Sequence, residues 1–308
     1  MRITSANVFE SSVAQLQRRQ QQLSEAQVQL TSGKRVLRAS DDPAAAARAE
    51  RALAAIGRSE ASQRGLEASR HAMQLSESAL GAAGELLQRA RELVVNAGNG
   101  SYGDSDRRIL AEALRGLRGD LLGVANRSDG AGRYQFGGQG SDSAPLLDTA
   151  TGVVFVGAAG QLQGVAGEAT PLSVDGRAAW LEAPDPANPG SVLSVFDVLD
   201  RVTTELLTTG RTGAQIAQTV SDGLRDIDAG ASNLSAWRAR AGESLNRTDG
   251  IEERLGQTKL DAQRDRSNAE DLDLVAALSD FKTRQSGYDA ALRTYSLVQR
   301  MSLFDYLS

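Results

Sequence analysis

Between Pro43 and Gly98 the chain meets no strong helix breaker. Leu66, Met73, Leu80, Leu87 and Val94 recur every seven residues, and Ser62, Ser69, Ser76, Ala83 and Ala90 form a second row at the same period. A sevenfold repeat places a stripe along one face of a helix. Gly57, Gly65, Gly81 and Gly84 each weaken it by about 1 kcal/mol relative to Ala, and the seam outweighs them. Asp42 is a good N-cap, and Pro43 suits the first helical position, where a missing N–H costs nothing. The stretch predicts one helix of roughly 55 residues, about 80 Å long. A helix of that length belongs to a rod or a bundle, not to the core of a small globule.

Both chain ends carry stripes of the same kind. Near the carboxyl end the row Leu274, Leu278, Phe281, Gln285, Tyr288, Leu292, Tyr295 and Gln299 advances by alternate steps of four and three. Beyond it Leu297, Val298, Met301, Leu303, Phe304 and Leu307 put apolar groups on several faces at once. Such a helix must be covered from more than one side. At the amino end, residues 7–32 read as a helix with Val13, Leu16, Leu23 and Leu30 in a stripe and Ala26 beside it. The two stripes are each other's expected first partners within one subunit. The surplus apolar faces from Val298 onward are left for neighbours, with the division near Tyr295. Together these residues are the candidate coiled-coil and assembly interface, and the free ends are expected to be poorly ordered before assembly.

The middle of the chain differs. Residues 98–103 read as a turn, followed by a helix from Asp104 with Leu110, Leu114, Leu117, Leu121 and Val124 on one face. From residue 133 to 190, Tyr134, Phe136, a Val153-Val154-Phe155-Val156 run, Leu172, Val174 and Trp180 sit among Gly, Asp, Ser and Thr. This is a small β insert, in which Asp175-Gly176 reads as a hairpin signal. Helix returns over 192–209 and 214–265. The expected fold is mainly α: a long-helix coiled-coil rod made from both chain ends, carrying a small β-rich outer insert. Its divisions are an inner terminal domain (1–40 with 270–308), a helical rod (41–132 with 191–269) and the outer insert (133–190).

Composition removes several function classes. There are 34 basic and 39 acidic residues in 308, a net charge of −5 with no block of one sign. Nothing therefore points to nucleic acid or an anionic membrane. Absence of cysteine removes disulfides, thiolate metal sites and thiol nucleophiles. No apolar run is long enough to span a bilayer, and the amino end lacks the basic-then-apolar pattern of a cleavable secretory signal. His71 is the single histidine and reads as a surface residue. Gly98-Asn99-Gly100-Ser101-Tyr102-Gly103 matches a dinucleotide fingerprint in letters only, because a helix precedes it where a strand is required. Asp41-Asp42 reads as helix capping, and Glu252-Glu253 and Glu270-Asp271-Asp273 as solvated helix faces. No catalytic residue, cofactor or metal site is expected.

Several stretches resemble one family. Thr31-Ser32-Gly33-Lys34-Arg35-Val36, followed by Ala39-Ser40-Asp41-Asp42-Pro43-Ala44-Ala45, is similar to the amino-terminal signature of the flagellin superfamily. Residues 96–100 with Arg107-Arg108-Ile109, and Asn126 with Gly132-Arg133-Tyr134-Gln135-Phe136-Gly137-Gly138, resemble its next helical turn and its entry into the outer domain. Residues 239–247 resemble its returning helix. Ser302-Leu303-Phe304-Asp305-Tyr306-Leu307 is similar to the ending of the branch that joins hook to filament, and Pro43 stands where flagellins usually have Ala. The resemblance implies a structural, non-enzymatic part of the bacterial flagellum needed for filament assembly and motility. It implies export by the flagellar type III apparatus to the hook–filament junction, outside the cell, without a cleaved signal. The implied partners are further copies in a ring or tube, another junction protein, flagellin and an export chaperone. The alternatives are a short flagellin that forms the filament itself and a secreted helical effector.

Overall fold

The computed structural model describes the backbone at residues 2–130, 132–140, 142–165 and 168–307, and the side chains within these ranges except at 2–9, 165 and 298–307. In chain order the elements are α1 (Arg2–Ser32), α2 (Pro43–Ala97), α3 (Asp104–Ala125), β1 (Leu146–Thr149), β2 (Gly152–Phe155), β3 (Gln163–Val165), β4 (Ala169–Pro171), α4 (Gly176–Trp180), β5 (Ala183–Pro184), β6 (Val192–Leu193), α5 (Val195–Leu207), α6 (Gly213–Glu270) and α7 (Leu274–Leu307). The fold is thus mainly α with a small strand-containing insert, as the seams imply. The chain divides into two compact units, residues 60–256 and residues 1–59 with 257–308.

In the unit of residues 60–256, the row Leu66, Met73, Leu80, Leu87 and Val94 is buried throughout. In its companion row Ser69, Ser76, Ala83 and Ala90 are buried as well, and Ser62 is half-buried. Small groups there leave room for the neighbouring helices. Leu114 and Leu121 of α3, Phe196, Leu199 and Val202 of α5, and Ile227 and Leu234 of α6 complete one apolar core. Ion pairs cross from α2 to α6 along its rim: Arg91 to Asp228 at 2.8 Å, Glu77 to Arg238 at 2.7 Å, and Arg70 to Asp249 and Glu252 at 2.6 and 2.5 Å. Glu252 therefore bridges two helices, whereas its sequence context suggested only a solvated face.

The turn at 98–103 is closed by its own polar groups. Asn99 Oδ1 accepts from the Ser101 amide and hydroxyl, and Asp106 accepts from the Gly103 N–H. This is helix punctuation, and the strand a dinucleotide site requires is absent from the segment before it, which is α2.

Among the described residues, the insert and the segment that leaves it form three antiparallel two-stranded ribbons: β1 with β2, β3 with β4, and β5 with β6, the last strand lying just beyond residue 190. In the first, Leu146 lies opposite Phe155 and Thr149 opposite Gly152. Asp175-Gly176 is not a hairpin turn. Asp175 caps α4, its Oδ1 accepting from the Ala178 N–H, while its Oδ2 accepts from the Gly160 N–H. Gly176 is required by close approach, since a Cβ there would collide with the Phe136 carbonyl. An Asp before a Gly serves a cap as readily as a tight turn, and here the approach of residue 136 favours the cap.

Buried groups dock the insert onto the helices. Trp180 meets Phe136 edge-on at 5.2 Å and stacks near Phe196 of α5 at 6.1 Å. Arg118 of α3 pairs with Asp148 of β1 and Asp200 of α5, with its guanidinium 5.9 Å from the Phe196 ring centre. Asn126 side-chain atoms exchange two hydrogen bonds with the Leu146 backbone, at 2.7 and 3.0 Å. Asn233 of α6 donates to the carbonyls of Ala178 and Ala179. Hydrogen bonding to Asp148 and Asp200 pushes the Arg118 guanidinium up, and the same contact holds the Asp148 carboxyl below its usual range.

Candidate assembly interface

The unit formed by 1–59 and 257–308 holds the residues that the sequence marked for assembly. Within it α1 packs along α7. Gly33 ends α1 with φ +68°, a left-handed cap that glycine adopts without strain. The chain then crosses the joint between α6 and α7. Lys34 forms an antiparallel bridge with Asp271, the Arg35 and Val36 N–H groups donate to the Glu270 carbonyl at 2.7 and 3.3 Å, and Leu272 N–H returns a bond to the Gly33 carbonyl at 3.0 Å.

Side chains reinforce this backbone clasp. Arg35 donates to the Ala269 carbonyl at 2.8 Å and to Asp42 at 3.1 Å. Lys34 and Arg266 both pair with the Glu270 carboxylate, at 3.2 and 2.7 Å. Asp41 Oδ2 accepts from the Leu37 and Arg38 N–H groups, and Asp42 Oδ1 accepts from the Ala45 N–H at the start of α2. These amides lower both carboxyls below the ordinary value. The expected helix-capping role holds for Asp42, whereas Asp41 ties the loop at Leu37 and Arg38 ahead of the helix. Glu270, read from sequence as part of a solvated face, instead holds two cations, Lys34 and Arg266.

The seam between α1 and α7 can be followed from the clasp. Arg284 donates to the Gln22 carbonyl at 3.4 Å, and a Cβ on Gly287 would sit 2.9 Å from the Arg19 guanidinium. Val13, Leu16, Leu23 and Leu30 are half-buried and Ala26 is buried. On α7 the partly covered positions are Ala277, Phe281, Arg284, Gly287, Tyr288, Ala291 and Tyr295. Phe281, Tyr288 and Tyr295 thus line the seam, but their companions are the small or polar residues on one side of that row. Leu274, Leu278 and Leu292 occupy the other side and are exposed, as are Leu297 and Val275, the latter 83 % exposed. Gly287, not a member of that row, faces α1. The helices approach closely where Ala and Gly stand between them, and the larger aliphatic groups are turned out. Val298, Met301, Leu303, Phe304 and Leu307 lie within the α7 span, with side chains outside the described residues.

His71 is exposed, as expected. Among the described residues there is no group of three or more His, Cys, Asp or Glu able to hold a metal, and no helix long and apolar enough to cross a membrane. The residues of the clasp beyond Asp41 and Asp42 carried no local signal of their roles. The partners that join the two chain ends lie more than two hundred positions apart, as Arg35 and Ala269 do.

Comparison with known proteins bears on this arrangement. Residues 4–141 match the bacterial flagellin N-terminal helical region. Flagellar hook-associated protein 3 of Salmonella typhimurium is 28% identical over 314 residues, covering 99% of each chain. The protein of that name in Escherichia coli is 26% identical over 90% of each chain. The flagellin of Bacillus subtilis is 25% identical over 82% of this chain and 81% of its own. Among solved structures, a flagellar hook-associated protein of Vibrio parahaemolyticus superposes with a TM-score of 0.67 at 20% identity, covering 75% of this chain and all of the other. The flagellar junction protein FlgL of Legionella pneumophila gives 0.60 at 17% identity, covering 73% of this chain and 100% of the other. At these identities the superpositions speak for the fold. Over residues 4–141 the chain is similar to the flagellins. Over nearly its whole length it is similar to flagellar hook-associated protein 3 of Salmonella typhimurium.

Proposed function

We propose that this chain is a structural subunit of the bacterial flagellum, a junction protein that connects the hook, through another hook-associated protein, to the filament. The end-to-end alignment with hook-associated protein 3 carries this reading, and the paired terminal helices support it. The work of such a subunit is geometric and needs no catalytic group. Identical subunits pack side by side around the flagellar axis through heterologous contacts, which close into a ring or continue as a tube according to the rotation between them. The exposed row Leu274, Val275, Leu278 and Leu292, with Val298, Met301, Leu303, Phe304 and Leu307 beyond it, meets the neighbouring subunits, the preceding junction protein and the following flagellin. The subunit leaves the cell through the flagellar export apparatus without a cleaved signal, and a chaperone covers α7 until then.

Electron microscopy of a strain lacking the chain tests the proposal. Hooks without filaments, with flagellin released as monomer, are expected; normal filaments would overturn it. Replacing Leu292 and Tyr295 by Ser should weaken the chaperone complex, and unchanged binding would remove that part. Likeness to the Bacillus subtilis flagellin favours one other reading, a short flagellin. Seeded polymerisation separates the two, since a flagellin extends long filaments and a junction protein stops.

A further inference from the structure

The apolar rows of the seam between α1 and α7 do not by themselves single out one register. Its rows repeat every seven residues on both helices. On α1 they hold Leu16, Leu23 and Leu30 alongside Arg19 and Ala26; on α7 they hold Phe281, Tyr288 and Tyr295 alongside Ala277, Arg284 and Ala291. A slip of one heptad toward the carboxyl end of α1 sets Phe281, Tyr288 and Tyr295 near Leu30, Leu23 and Leu16 and moves one helix about 10 Å along the other. Polar contacts along the seam that would oppose such a slip include that of Arg284 with the Gln22 carbonyl.

The clasp has the opposite character. It is not periodic, and it begins one residue past the end of α1 and ends two residues before the start of α7. The observed pairing continues from it at a constant step. Lys34 lies opposite Asp271, Gln22 is bonded by Arg284, and Arg19 lies against Gly287. Each retreat along α1 is matched by an equal advance along α7, to within one residue.

We propose that the clasp of residues 33–36 with 269–272 is a register lock, which selects one of several near-equivalent α1–α7 pairings. The Arg35 guanidinium on the Ala269 carbonyl and the Glu270 carboxylate between Lys34 and Arg266 are its side-chain components. The inference rests on the reading of α7 as an assembly surface in one respect, its purpose. A one-heptad slip would displace Leu274, Val275 and Leu278 relative to α1, so subunits in mixed registers could not offer one common surface. The lock itself is a property of the single chain and is tested without assembly.

The chain has no cysteine, which allows register to be trapped in the full-length soluble protein. Three double variants are made: Arg19→Cys with Gly287→Cys, which is in register, and Arg19→Cys with Asp280→Cys or Thr294→Cys, which are one heptad to either side. Each is treated with a short bismaleimide, which captures pairings even if the arms open and close. With the clasp intact, the 19–287 pair should cross-link roughly tenfold faster than either shifted pair, as an intramolecular reaction at matched span does. Adding Arg35→Ala and Glu270→Lys should bring the three rates to within about twofold. Retention of the 19–287 preference in the clasp variant would overturn the proposal, and so would equal rates with the clasp intact. Circular dichroism of each variant, unchanged in helix content, separates loss of register from loss of the helices. Failure of the flagellar reading would leave these rates as they are, and failure of the lock would leave the filament phenotype to be explained by other contacts.

Discussion

The two compact units are built on different principles. Residues 60–256 enclose Trp180, Phe136, Phe196, Met73, Leu80 and Leu121, all nearly inaccessible to solvent. In the unit of 1–59 and 257–308, the buried apolar side chains among the described residues are Ala26, Val36, Ala45, Ala49, Ala52, Ile56, Ala262 and Ala269. Burial of a large side chain stabilises by about 1.5–3 kcal/mol, and alanine supplies far less. The first unit can therefore hold its shape through its own core. The second gains its definition from backbone and ionic contacts at the clasp and keeps its larger aliphatic groups on the surface. This is the division expected of a subunit with one part that is a finished fold and another that is finished by neighbours.

The largest effect that should break this contrast is loss of the central aromatic. Trp180→Ala removes the ring that joins Phe136 to Phe196 and should destabilise its unit by roughly 3–5 kcal/mol. In limited proteolysis of the soluble chain, 1–59 and 257–308 should be cut well before 60–256. In the variant, both should be cut at comparable rates. Resistance of the ends equal to that of the centre in the unaltered chain would refute the contrast outright.

Arg118→Ala should come next. Arg118 is 9% exposed and holds two carboxylates, Asp148 and Asp200, which then face each other uncompensated. Breaking a fully buried pair destabilises by about 3–5 kcal/mol; with both carboxylates half open to solvent, roughly 2–3 kcal/mol is expected. The sign with pH follows from Asp148, whose carboxyl Arg118 holds below its usual value. That contribution is present above the unfolded value of 3.8 and is lost as pH falls through the lower folded one. Chemical denaturation of both proteins should show the gap intact near neutrality and narrowing in strong acid. A gap independent of pH would assign Arg118 a packing role alone.

Features that depend on neighbours along the chain are legible in the amino-acid sequence. The Asp42-Pro43 start of α2, the sevenfold row from Leu66 to Val94 and the polar turn at 98–103 each require only nearby residues. Features that depend on distant encounters are not. Arg118, Asn126 and Asn233 look like ordinary helix-surface residues, and only the folded insert supplies their partners. The α7 seam lies between these cases. Phe281, Tyr288 and Tyr295 recur every seven residues and can be completed by either flank. The sequence favours Leu274, Leu278 and Leu292 by size. The fold uses Ala277, Arg284 and Ala291, because a small flank allows α1 to approach.

A change in the alanine-lined unit should be felt more weakly. Ile56→Val removes one methylene from a buried position of α2 and should destabilise by about 1 kcal/mol. Its signature should be local. Amide hydrogen exchange should quicken within 43–59 and 257–270 and remain unchanged around Trp180. Equal acceleration in both units would mean that they unfold as one cooperative body, and the contrast drawn above would have to be abandoned.

The smallest expected effect has the opposite sign. Asp197 lies in the first turn of α5 with its carboxylate against Gly152 of the β1–β2 ribbon, so closely that a Cβ there would be 2.9 Å from Oδ1. Desolvation raises its pKa, the like charge of Asp200 adds to the rise, and the Ser194 hydroxyl and Arg118 oppose it. A carboxyl whose folded pKa is raised favours the folded state below the unfolded value and loses that contribution as pH climbs through the folded one. At neutral pH the charge is therefore a small liability. Asp197→Asn keeps the shape, removes the charge, and should raise Tm slightly at pH 7. Below about pH 3.8, where the native carboxyl is itself protonated, the advantage should vanish. Thermal melts at the two pH values decide it. A variant that melts lower at pH 7 would show that Asp197 serves the α5 N-terminus as a favourable dipole charge, and that the docking of the insert carries no electrostatic strain at this point.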